Sequence, residues 1–240
     1  MGLYHSLLLP PLLDWAMKND ELRRIRERLI PLARGRVLEV GCGSGLNLPY
    51  YGDDVKELWA IDPNPALISM ACRRAKDLPF SIEFLERTAE TIPMHDRSFD
   101  TVVTTWTLCS VSDIGSALHE MRRVLKPGGL LLFAEHGTAP DAAVRSWQDR
   151  LTPFWKRIAG GCHLNRKPDD ELRAAGLRID RLETRYIHGP RPFTFMYEGR
   201  ASAPLEDVAP VGLMRRARQR GRDQRLGASL RSSPNARPMA

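Results

Sequence analysis

The chain has 240 residues, of which 42% are hydrophobic and 27% are charged, so it can build an ordinary buried core and is not disordered throughout. The longest early apolar run, Leu7 to Leu13, contains two prolines and is too short to cross a bilayer. The four cysteines form no CxxC pair and have no metal-ligand spacing. These features predict reduced thiols, no metal site and a soluble, cytoplasmic protein.

Most of the net charge of +7 lies in the last 40 residues, which contain eight arginines and three acidic residues. The segment from 203 to 240 has no aromatic residue and few large aliphatic ones. We therefore expect a basic, disordered tail, because it cannot bury enough apolar surface to offset the entropy of ordering. Weak contact of this tail with nucleic acid or anionic lipid is the alternative.

The rest of the chain alternates between strand and helix patterns. Residues 1–35 are expected to form a helical segment, because apolar residues at positions 22, 25, 29, 32 and 33 follow a helical period. Asn64 and Pro65 predict the capped start of another helix, and a third helix follows Ser112. Short apolar runs predict strands at 36–40, 57–62, 81–86, 100–105 and 130–135. This alternation is typical of a doubly wound, parallel α/β sheet.

The last two predicted strands, 177–185 and 193–200, break the alternation. The connection between them, Tyr186 to Pro192, is too short for a parallel crossover, so the two strands should pair antiparallel. The sequence therefore predicts five parallel strands closed by an antiparallel strand. Residues 141–175 form a long helical insertion before these strands.

A glycine-rich loop, Glu39-Val-Gly-Cys-Gly-Ser-Gly45, follows the first strand. Alternate glycines allow a tight turn and close approach to a ligand, and in an open α/β sheet this position is the binding crevice. A dinucleotide site would need its third glycine at position 46, where this chain has leucine, so a ligand without a pyrophosphate fits better. Asp62 at the end of the second strand can accept both hydroxyls of a ribose. A buried carboxylate at Glu39 needs partners, which a ligand ammonium or the amides of the loop could supply.

The combination of EVGCGSG, the acidic end of the second strand, FDTVVTT and EMRRVLKPGGLLLFAEH resembles the class I methyltransferases that use S-adenosylmethionine. This resemblance implies a methyltransferase domain over 36–202, with a seven-stranded, Rossmann-like sheet whose last strand is antiparallel. It also implies that the glycine loop passes over the methionine part of the cofactor, that Glu39 supports the loop and that Asp62 binds the ribose. The implied cofactor contacts are Glu39, Gly41, Cys42, Gly43, Gly45, Asp62, Pro63, Ala89, Glu90 and Thr105. Where the family usually has Gly-Asp-Ala-Glu, this chain has Arg87-Thr-Ala-Glu90 and so lacks the acidic adenine contact.

A narrower resemblance is to the methyltransferase-like branch that includes the membrane-associated alkyl thiol methyltransferases of animals. It is carried by Thr107–Val111, Glu135-His136, the helix from Trp147 to Trp155, and Gly161–Arg166. The resemblance implies a small, apolar acceptor, with a thiol first and a phenol or quinol second. Those relatives have an apolar N-terminal anchor, and this chain has only Leu7 to Leu13 in its place, so we expect at most peripheral membrane contact.

Apolar residues of the helical insertion recur at spacings of three and four. Three of them are aromatic, Trp147, Phe154 and Trp155, and two are aliphatic, Leu151 and Ile158. Such a stripe is either part of the core or an apolar lid over the acceptor, and the Gly160-Gly161 pair after it would let a lid move. Trp106 is interpreted as a core residue, with a cation–π contact to the sulfonium as the alternative.

Methyl transfer from a sulfonium requires mainly the in-line positioning of a nucleophile. A thiol with a pKa near ~8.5 is already partly ionised at neutral pH, whereas a phenol or amine more often needs a general base. His136 and His163 are the candidate bases, and a structural, hydrogen-bonded role is the alternative for both.

Two hypotheses from other classes are a dinucleotide-dependent oxidoreductase and a nucleic-acid-binding module that works through the tail. Leu46 counts against the first of these. The second predicts salt-dependent binding that is lost on truncation at Ala203. We expect a small-molecule acceptor and no stable nucleic-acid partner.

Overall fold

The computed structural model describes residues 7–76, 78 and 80–205. The chain divides into one compact unit, Met1–Pro204, and a second unit from Leu205 onward. The predicted disordered tail therefore lies, beyond its first three residues, outside the described part of the chain.

A seven-stranded sheet forms the centre of the first unit, with the strand order β3-β2-β1-β4-β5-β7-β6. Strands β1 to β5 are parallel neighbours, and β7 pairs antiparallel with both β5 and β6. The predicted fold class and the predicted antiparallel pairing are thus confirmed. The strands are β1 Gly35–Val40, β2 Val55–Asp62, β3 Ile82–Glu86, β4 Phe99–Thr105, β5 Leu125–His136, β6 Arg178–Tyr186 and β7 Phe195–Ser202.

The helices begin at polar caps that the sequence makes recognisable. Asn64 accepts hydrogen bonds from the backbone of the first turn of α3, as predicted, and Asn19 and Asp113 cap α2 and α4 in the same way. The helices are α1 Leu9–Ala16, α2 Asp20–Leu29, α3 Pro65–Ala75, α4 Ile114–Val124, α5 Ala142–Ile158 and α6 Pro168–Ala174. None of the helices within the described ranges is long and apolar enough to cross a bilayer.

The sheet is buried on both faces. Leu131 and Leu132 are consecutive residues of β5 with no exposed surface, and they pack into two different apolar clusters. The cluster around Leu131 includes Leu118 of α4, and the cluster around Leu132 includes Ile25 of α2. Since adjacent residues of a strand point to opposite faces, this arrangement explains why β5 is a continuous apolar run. Burial of each such leucine contributes roughly 1.5–3 kcal/mol.

Helix α2 is shorter than the apolar period of the sequence predicts. Leu22, Ile25 and Leu29 are buried as expected, but Leu32 is 45% exposed. Pro31 lies just after the end of α2, and residues 30–32 form a tighter 3₁₀ turn that changes the direction of the next side chains.

The folded unit extends past the predicted start of the tail. Ala203 is buried, its backbone N–H donates to the Gly129 carbonyl, and its carbonyl accepts from the Gly128 N–H. These bonds lie directly beyond the β5–β7 pairing, so Ala203 belongs to the folded unit rather than to the tail.

Candidate functional site

The glycine loop after β1 adopts left-handed backbone conformations at Gly41, Gly43 and Gly45, with φ of +75°, +54° and +81°. A Cβ at position 41 would collide with the side chain of Thr107, which follows β4. A Cβ at position 43 would meet nothing within 4 Å, so this part of the loop borders open space. The loop is therefore tightly packed on one side and open on the other, as a ligand cradle requires.

Backbone hydrogen bonds fix this loop to the end of β2. The Gly41 and Cys42 N–H groups both donate to the Ile61 carbonyl, at 2.8 and 3.1 Å. The Gly43 N–H donates to Oδ2 of Asp62 at 2.9 Å. The two elements that carry the predicted cofactor contacts are thus one connected structure.

Asp62 is 6% exposed and accepts a second backbone hydrogen bond, from the Asn64 N–H to Oδ1, at 2.9 Å. Burial raises the pKa of the Asp62 carboxyl above its ordinary value, although the two backbone donors oppose this change. Each carboxylate oxygen can accept more than one hydrogen bond, so Asp62 can also accept hydroxyls of a ligand. Pro63, the next residue, is exposed.

Glu39 is almost completely buried, and its partners are side chains that sequence reasoning did not identify. Oε1 accepts from Nδ2 of Asn47 and Oε2 accepts from the hydroxyl of Tyr51, both at 2.9 Å. Burial raises the pKa of Glu39 to about 7, because it outweighs the two hydrogen bonds. Glu39 therefore supports the segment after the glycine loop rather than binding amides of the loop itself.

Asn47 connects Glu39 to two other elements. Its Nδ2 also donates to Oγ1 of Thr105 at the end of β4, and its Oδ1 accepts from Nε of Arg26 in α2, at 2.9 and 3.0 Å. Arg26 is 4% exposed, and burial lowers the pKa of its guanidinium to about 10. This buried polar network holds the ends of β1 and β4 in register behind the loop.

Helix α1 is attached directly to the glycine loop. The Ser44 hydroxyl donates to Oδ1 of Asp14 at 2.6 Å, and Asp14 also pairs with Arg74 and Lys18 at 2.7 Å each. Arg74 donates in addition to the Ser44 carbonyl. The sequence gives a helical pattern here, but no signal that Asp14 contacts the loop.

Trp106, directly after β4, is one of two described non-glycine residues with a left-handed backbone, at φ of +51°. The backbone N–H of Trp106 donates to the Ala134 carbonyl, and the Arg26 guanidinium lies 4.7 Å from the centre of the indole ring. The cation–π partner that the structure shows for Trp106 is therefore Arg26. Unusual backbone geometry of this kind is concentrated at functional sites.

The remaining predicted cofactor contacts lie on this edge of the sheet or near it. Ala89 and Thr105 are buried, and burial raises the pKa of the Cys42 thiol well above its ordinary value. Glu90 accepts hydrogen bonds from the Ser112 and Asp113 N–H groups. Glu90 therefore joins the segment after β3 to the start of α4.

The two candidate bases have different surroundings. Nε2 of His136 lies 2.8 Å from Sγ of Cys162. The His163 backbone N–H and its ring Nδ1 both contact the Cys109 carbonyl, at 2.8 and 3.2 Å. Because a carbonyl only accepts, Nδ1 of His163 is the protonated nitrogen, and Nε2 of His163 carries the lone pair in the neutral ring.

Cys109, His136 and Cys162 are brought together although they are far apart in sequence. A hydrogen bond from Cys162 lowers the pKa of Cys109 well below its ordinary value and raises that of Cys162. Burial lowers the pKa of His136, but the neighbouring Cys109 outweighs it and raises the value to about 9.

Glu135 positions the loop that carries Cys109. Its Oε1 accepts from the Thr107 and Leu108 N–H groups, both at 3.0 Å. Its Oε2 is buried without a hydrogen-bond partner in the described part of the chain, and burial raises the pKa of Glu135 to about 8.

The aromatic stripe of the insertion is mostly exposed. Helix α5 buries Val144, Gln148 and Thr152, whereas Trp147 and Phe154 are 56% and 62% exposed. The Trp155 ring packs against an aromatic neighbour, Phe193, at 4.6 Å between ring centres. Ile158, at the end of α5, is also exposed, and Leu151 is half-buried. The core interpretation is thus wrong for Trp147 and Phe154.

Gln148 explains why α5 can bury a polar face. Its Oε1 accepts from the Ala139 N–H, and its Nε2 donates to the carbonyls of Gly137 and Pro192, at 2.9 to 3.1 Å. A single amide thus satisfies three backbone groups of the loops around it, so α5 is attached by these hydrogen bonds together with the apolar contacts of Val144 and Trp155.

Residues 38–133 match the protein family described as "Methyltransferase domain". The chain is 36% identical to Thiol S-methyltransferase TMT1B of Rattus norvegicus, over 68% of this chain and 66% of that protein. It is 32% identical to Thiol S-methyltransferase TMT1A of Homo sapiens, over 72% of this chain and 71% of that protein. The crystal structure of the N-methyltransferase NodS from Bradyrhizobium japonicum WM9 with S-adenosyl-L-homocysteine is similar in fold, with a TM-score of 0.61, 21% identity and coverage of 79% of this chain and 91% of NodS.

The residues of the loop site fit an S-adenosyl ligand. The loop is open at Gly43, and the buried carboxylate of Asp62 lies beside it with unused acceptor capacity, which suits a ribose. The aligned region spans about two thirds of the rat relative. Together with the sheet topology and the identity to the human relative over 72% of the chain, these observations place the chain in the family of class I S-adenosylmethionine-dependent methyltransferases.

Proposed function

We propose that this protein transfers a methyl group from S-adenosylmethionine to the sulfur of a small, apolar thiol. The observation that carries this proposal is the 32–36% identity to two thiol S-methyltransferases over 68% and 72% of the chain. The similarity extends over 168 and 178 residues, well beyond the length of the segment 38–133 that matches the methyltransferase domain, so it supports the acceptor class as well as the cofactor.

In this proposal the open side of the glycine loop receives the cofactor. Asp62 accepts the ribose hydroxyls while it holds the Gly43 N–H, and the network of Glu39, Asn47 and Thr105 keeps the loop in place. Ala89 and Glu90 border the adenine. The cofactor supplies an electrophilic methyl group on a sulfonium, and the protein contributes mainly orientation.

The acceptor side of the crevice is formed by the segment after β4 and by the loop after α5. Both meet at the Cys109 carbonyl, where His163 is hydrogen-bonded. The lone pair on Nε2 of His163 can receive the acceptor's proton, whereas Nε2 of His136 already contacts Cys162. We therefore assign the role of base to His163. A thiol needs this help less than a phenol does, because its pKa near ~8.5 is closer to neutrality.

Exposed apolar side chains support an apolar acceptor. Trp147 and Phe154 of α5 face solvent, and Leu12 and Trp15 of α1 are 50% and 74% exposed. Helix α1 is fixed to the glycine loop through Asp14, so the exposed Leu12 and Trp15 belong to a helix that contacts the proposed cofactor loop. A polymer substrate would instead require an open, charged groove.

A methyl-transfer assay over thiols, phenols, quinols, amines, a peptide and an oligonucleotide tests the proposal. We expect turnover on alkyl and aryl thiols, with His163→Ala costing less than about tenfold on a thiol. If a phenol or quinol is the true acceptor, His163→Ala should cost the ~10²–10⁴-fold typical of a lost general base. Turnover of the peptide or oligonucleotide with none on thiols or phenols would refute a small-molecule acceptor.

A further inference from the structure

Three metal-ligating side chains meet at the carboxyl edge of the sheet. Cys109 follows β4, His136 is the last residue of β5, and Cys162 lies in the loop after α5. The imidazole nitrogen and the two sulfurs all lie within 4.8 Å of one another. Spacings of 27 and 26 residues match no metal-binding sequence motif, so only the fold brings these residues together.

The cluster is enclosed and its loops are fixed. Cys109 and Cys162 are 4% and 8% exposed, and both are free thiols. Glu135 holds the backbone before Cys109, and His163 binds the Cys109 carbonyl from the loop that carries Cys162. The donors are therefore held by their backbones, as in sites that bind a metal with little rearrangement.

The donor set selects the class of metal. Two thiolates and an imidazole are ligands of Zn²⁺ and other thiophilic ions, and Mg²⁺ and Ca²⁺ require oxygen donors. Bonds of ~2.0–2.3 Å place the ligand atoms of a tetrahedral ion roughly 3.3–3.8 Å apart. Donor atoms that are already within 4.8 Å need only small side-chain movements to reach this spacing.

The charges also fit such an ion. Two thiolates neutralise a divalent cation, and the buried Glu135 carboxyl lies close enough to Cys109 and His136 to interact with both electrostatically. Among the described residues, no fourth Cys, His, Asp or Glu belongs to the group. Three protein ligands with a fourth, exchangeable position are typical of zinc sites that accept an external ligand.

We propose that Cys109, His136 and Cys162 bind one Zn²⁺ ion, which joins the loop after α5 to the ends of β4 and β5. This is a site distinct from the glycine loop, and it goes beyond methyl transfer. Cys109 comes two residues after Thr107, whose side chain packs against Gly41 of the glycine loop. The ion would therefore lie beside the methyl-transfer crevice.

Metal loading of the full-length, tag-free protein tests this proposal. The reduced protein is stripped with a chelator, loaded with ZnCl₂, desalted and analysed by elemental mass spectrometry. We expect one zinc per chain. Loaded with CoCl₂ instead, it should show thiolate-to-cobalt charge transfer and the strong visible bands of tetrahedral Co²⁺.

Ligand variants identify the site. Cys109→Ser, Cys162→Ser and His136→Gln should each lose zinc affinity by more than the ~10–100-fold cost of an outer-shell change. Cys72→Ser, at an exposed cysteine, is the matched control and should bind zinc like the wild type. Binding of S-adenosylhomocysteine shows that each variant is folded.

Two results would overturn the proposal. One is a reduced wild-type protein that retains no zinc and gives no tetrahedral cobalt spectrum, a result that does not depend on how the variants fold. The other is zinc retained equally by the three folded ligand variants. Since zinc is measured without methyl transfer, failure here leaves the proposed activity standing, and inactivity on thiols leaves the metal site standing.

Discussion

At the scale of single residues, the Asp62 carboxylate holds the Gly43 N–H of the glycine loop, and we propose that it also accepts the ribose hydroxyls of the cofactor. Asp62→Ala should weaken S-adenosylhomocysteine binding by roughly 1.5–3 kcal/mol, the usual contribution of hydrogen bonds to a charged group, or about 10- to 150-fold in Kd. Isothermal titration calorimetry measures this change. Asp53→Ala, at an exposed position before β2, is the control and should leave Kd unchanged. An unaltered Kd for Asp62→Ala would show that the ribose is bound elsewhere.

Glu39 should make stability depend on pH. Burial raises its pKa to about 7 in the folded protein, against an ordinary value of 4.5, so between these values the folded state holds a proton that the unfolded state has lost. Stability should therefore fall as pH rises from about 4.5 to 7, by up to about 3 kcal/mol, and this contribution should stay constant at higher pH.

Glu39→Gln separates this effect from other titrations. Glutamine can still accept from Asn47 and can donate to the Tyr51 hydroxyl, so the network is kept while the ionisable group is removed. Urea unfolding of the ligand-free wild type and variant at pH 5, 6, 7 and 8 measures the difference. Parallel pH profiles would show that Glu39 stays charged in the folded state.

At the scale of secondary-structure elements, α5 is attached through Gln148 and its buried neighbours and exposes Trp147 and Phe154. Trp147→Ala and Phe154→Ala should thus change the free energy of unfolding by no more than about 0.5 kcal/mol, as expected for exposed positions. If these side chains capture the acceptor, both variants should raise KM for long-chain alkyl thiols and leave the KM for S-adenosylmethionine unchanged. Losses of ~3–5 kcal/mol in stability, typical of core aromatic residues, would contradict the exposed arrangement.

The elements that sequence reasoning predicts well are those with local signals. The glycine loop, the Asn64 cap and the short hairpin connection each depend on residues close together in the chain, and the structure confirms the sheet topology. The contacts that sequence reasoning did not predict are tertiary hydrogen bonds. Asn47 and Tyr51 as partners of Glu39, and Asp14 on the glycine loop, have no local pattern because a tertiary hydrogen bond leaves no periodicity in the sequence.

The group of Cys109, His136 and Cys162 could not be predicted from the sequence for the same reason. Sequence spacing indicated no metal site. Parallel strands β4 and β5 bring Cys109 and His136 to one edge of the sheet, and the loop after α5 adds Cys162. The stripe on α5 was ambiguous for another reason. Helical periodicity shows which residues share a face but not which face is buried. In α5 the face that carries Gln148 is buried, because its amide bonds to the backbone of Ala139 and Gly137.

At the scale of the whole molecule, the folded unit should end after Ala203. A chain that stops at Leu205 should unfold at the wild-type temperature, because it retains both hydrogen bonds of Ala203 to the Gly128–Gly129 segment. A chain that stops at Ser202 loses these bonds and the buried side chain, and should unfold several degrees lower. Differential scanning calorimetry compares the two. Equal melting temperatures would place the boundary at Ser202.

The cytoplasmic location and any contact of the tail with nucleic acid stay predictions.

We propose that this chain methylates the sulfur of a small thiol with S-adenosylmethionine. The most direct test of this proposal is incubation of the purified full-length protein with deuteromethyl-labelled S-adenosylmethionine and an alkyl thiol, followed by mass spectrometry of both products. We predict a deuterated methyl thioether and S-adenosylhomocysteine in equal amounts, with greatly reduced formation of both in Asp62→Ala. Tight cofactor binding without any thioether, while label accumulates on a phenol, peptide or oligonucleotide, would contradict the claim.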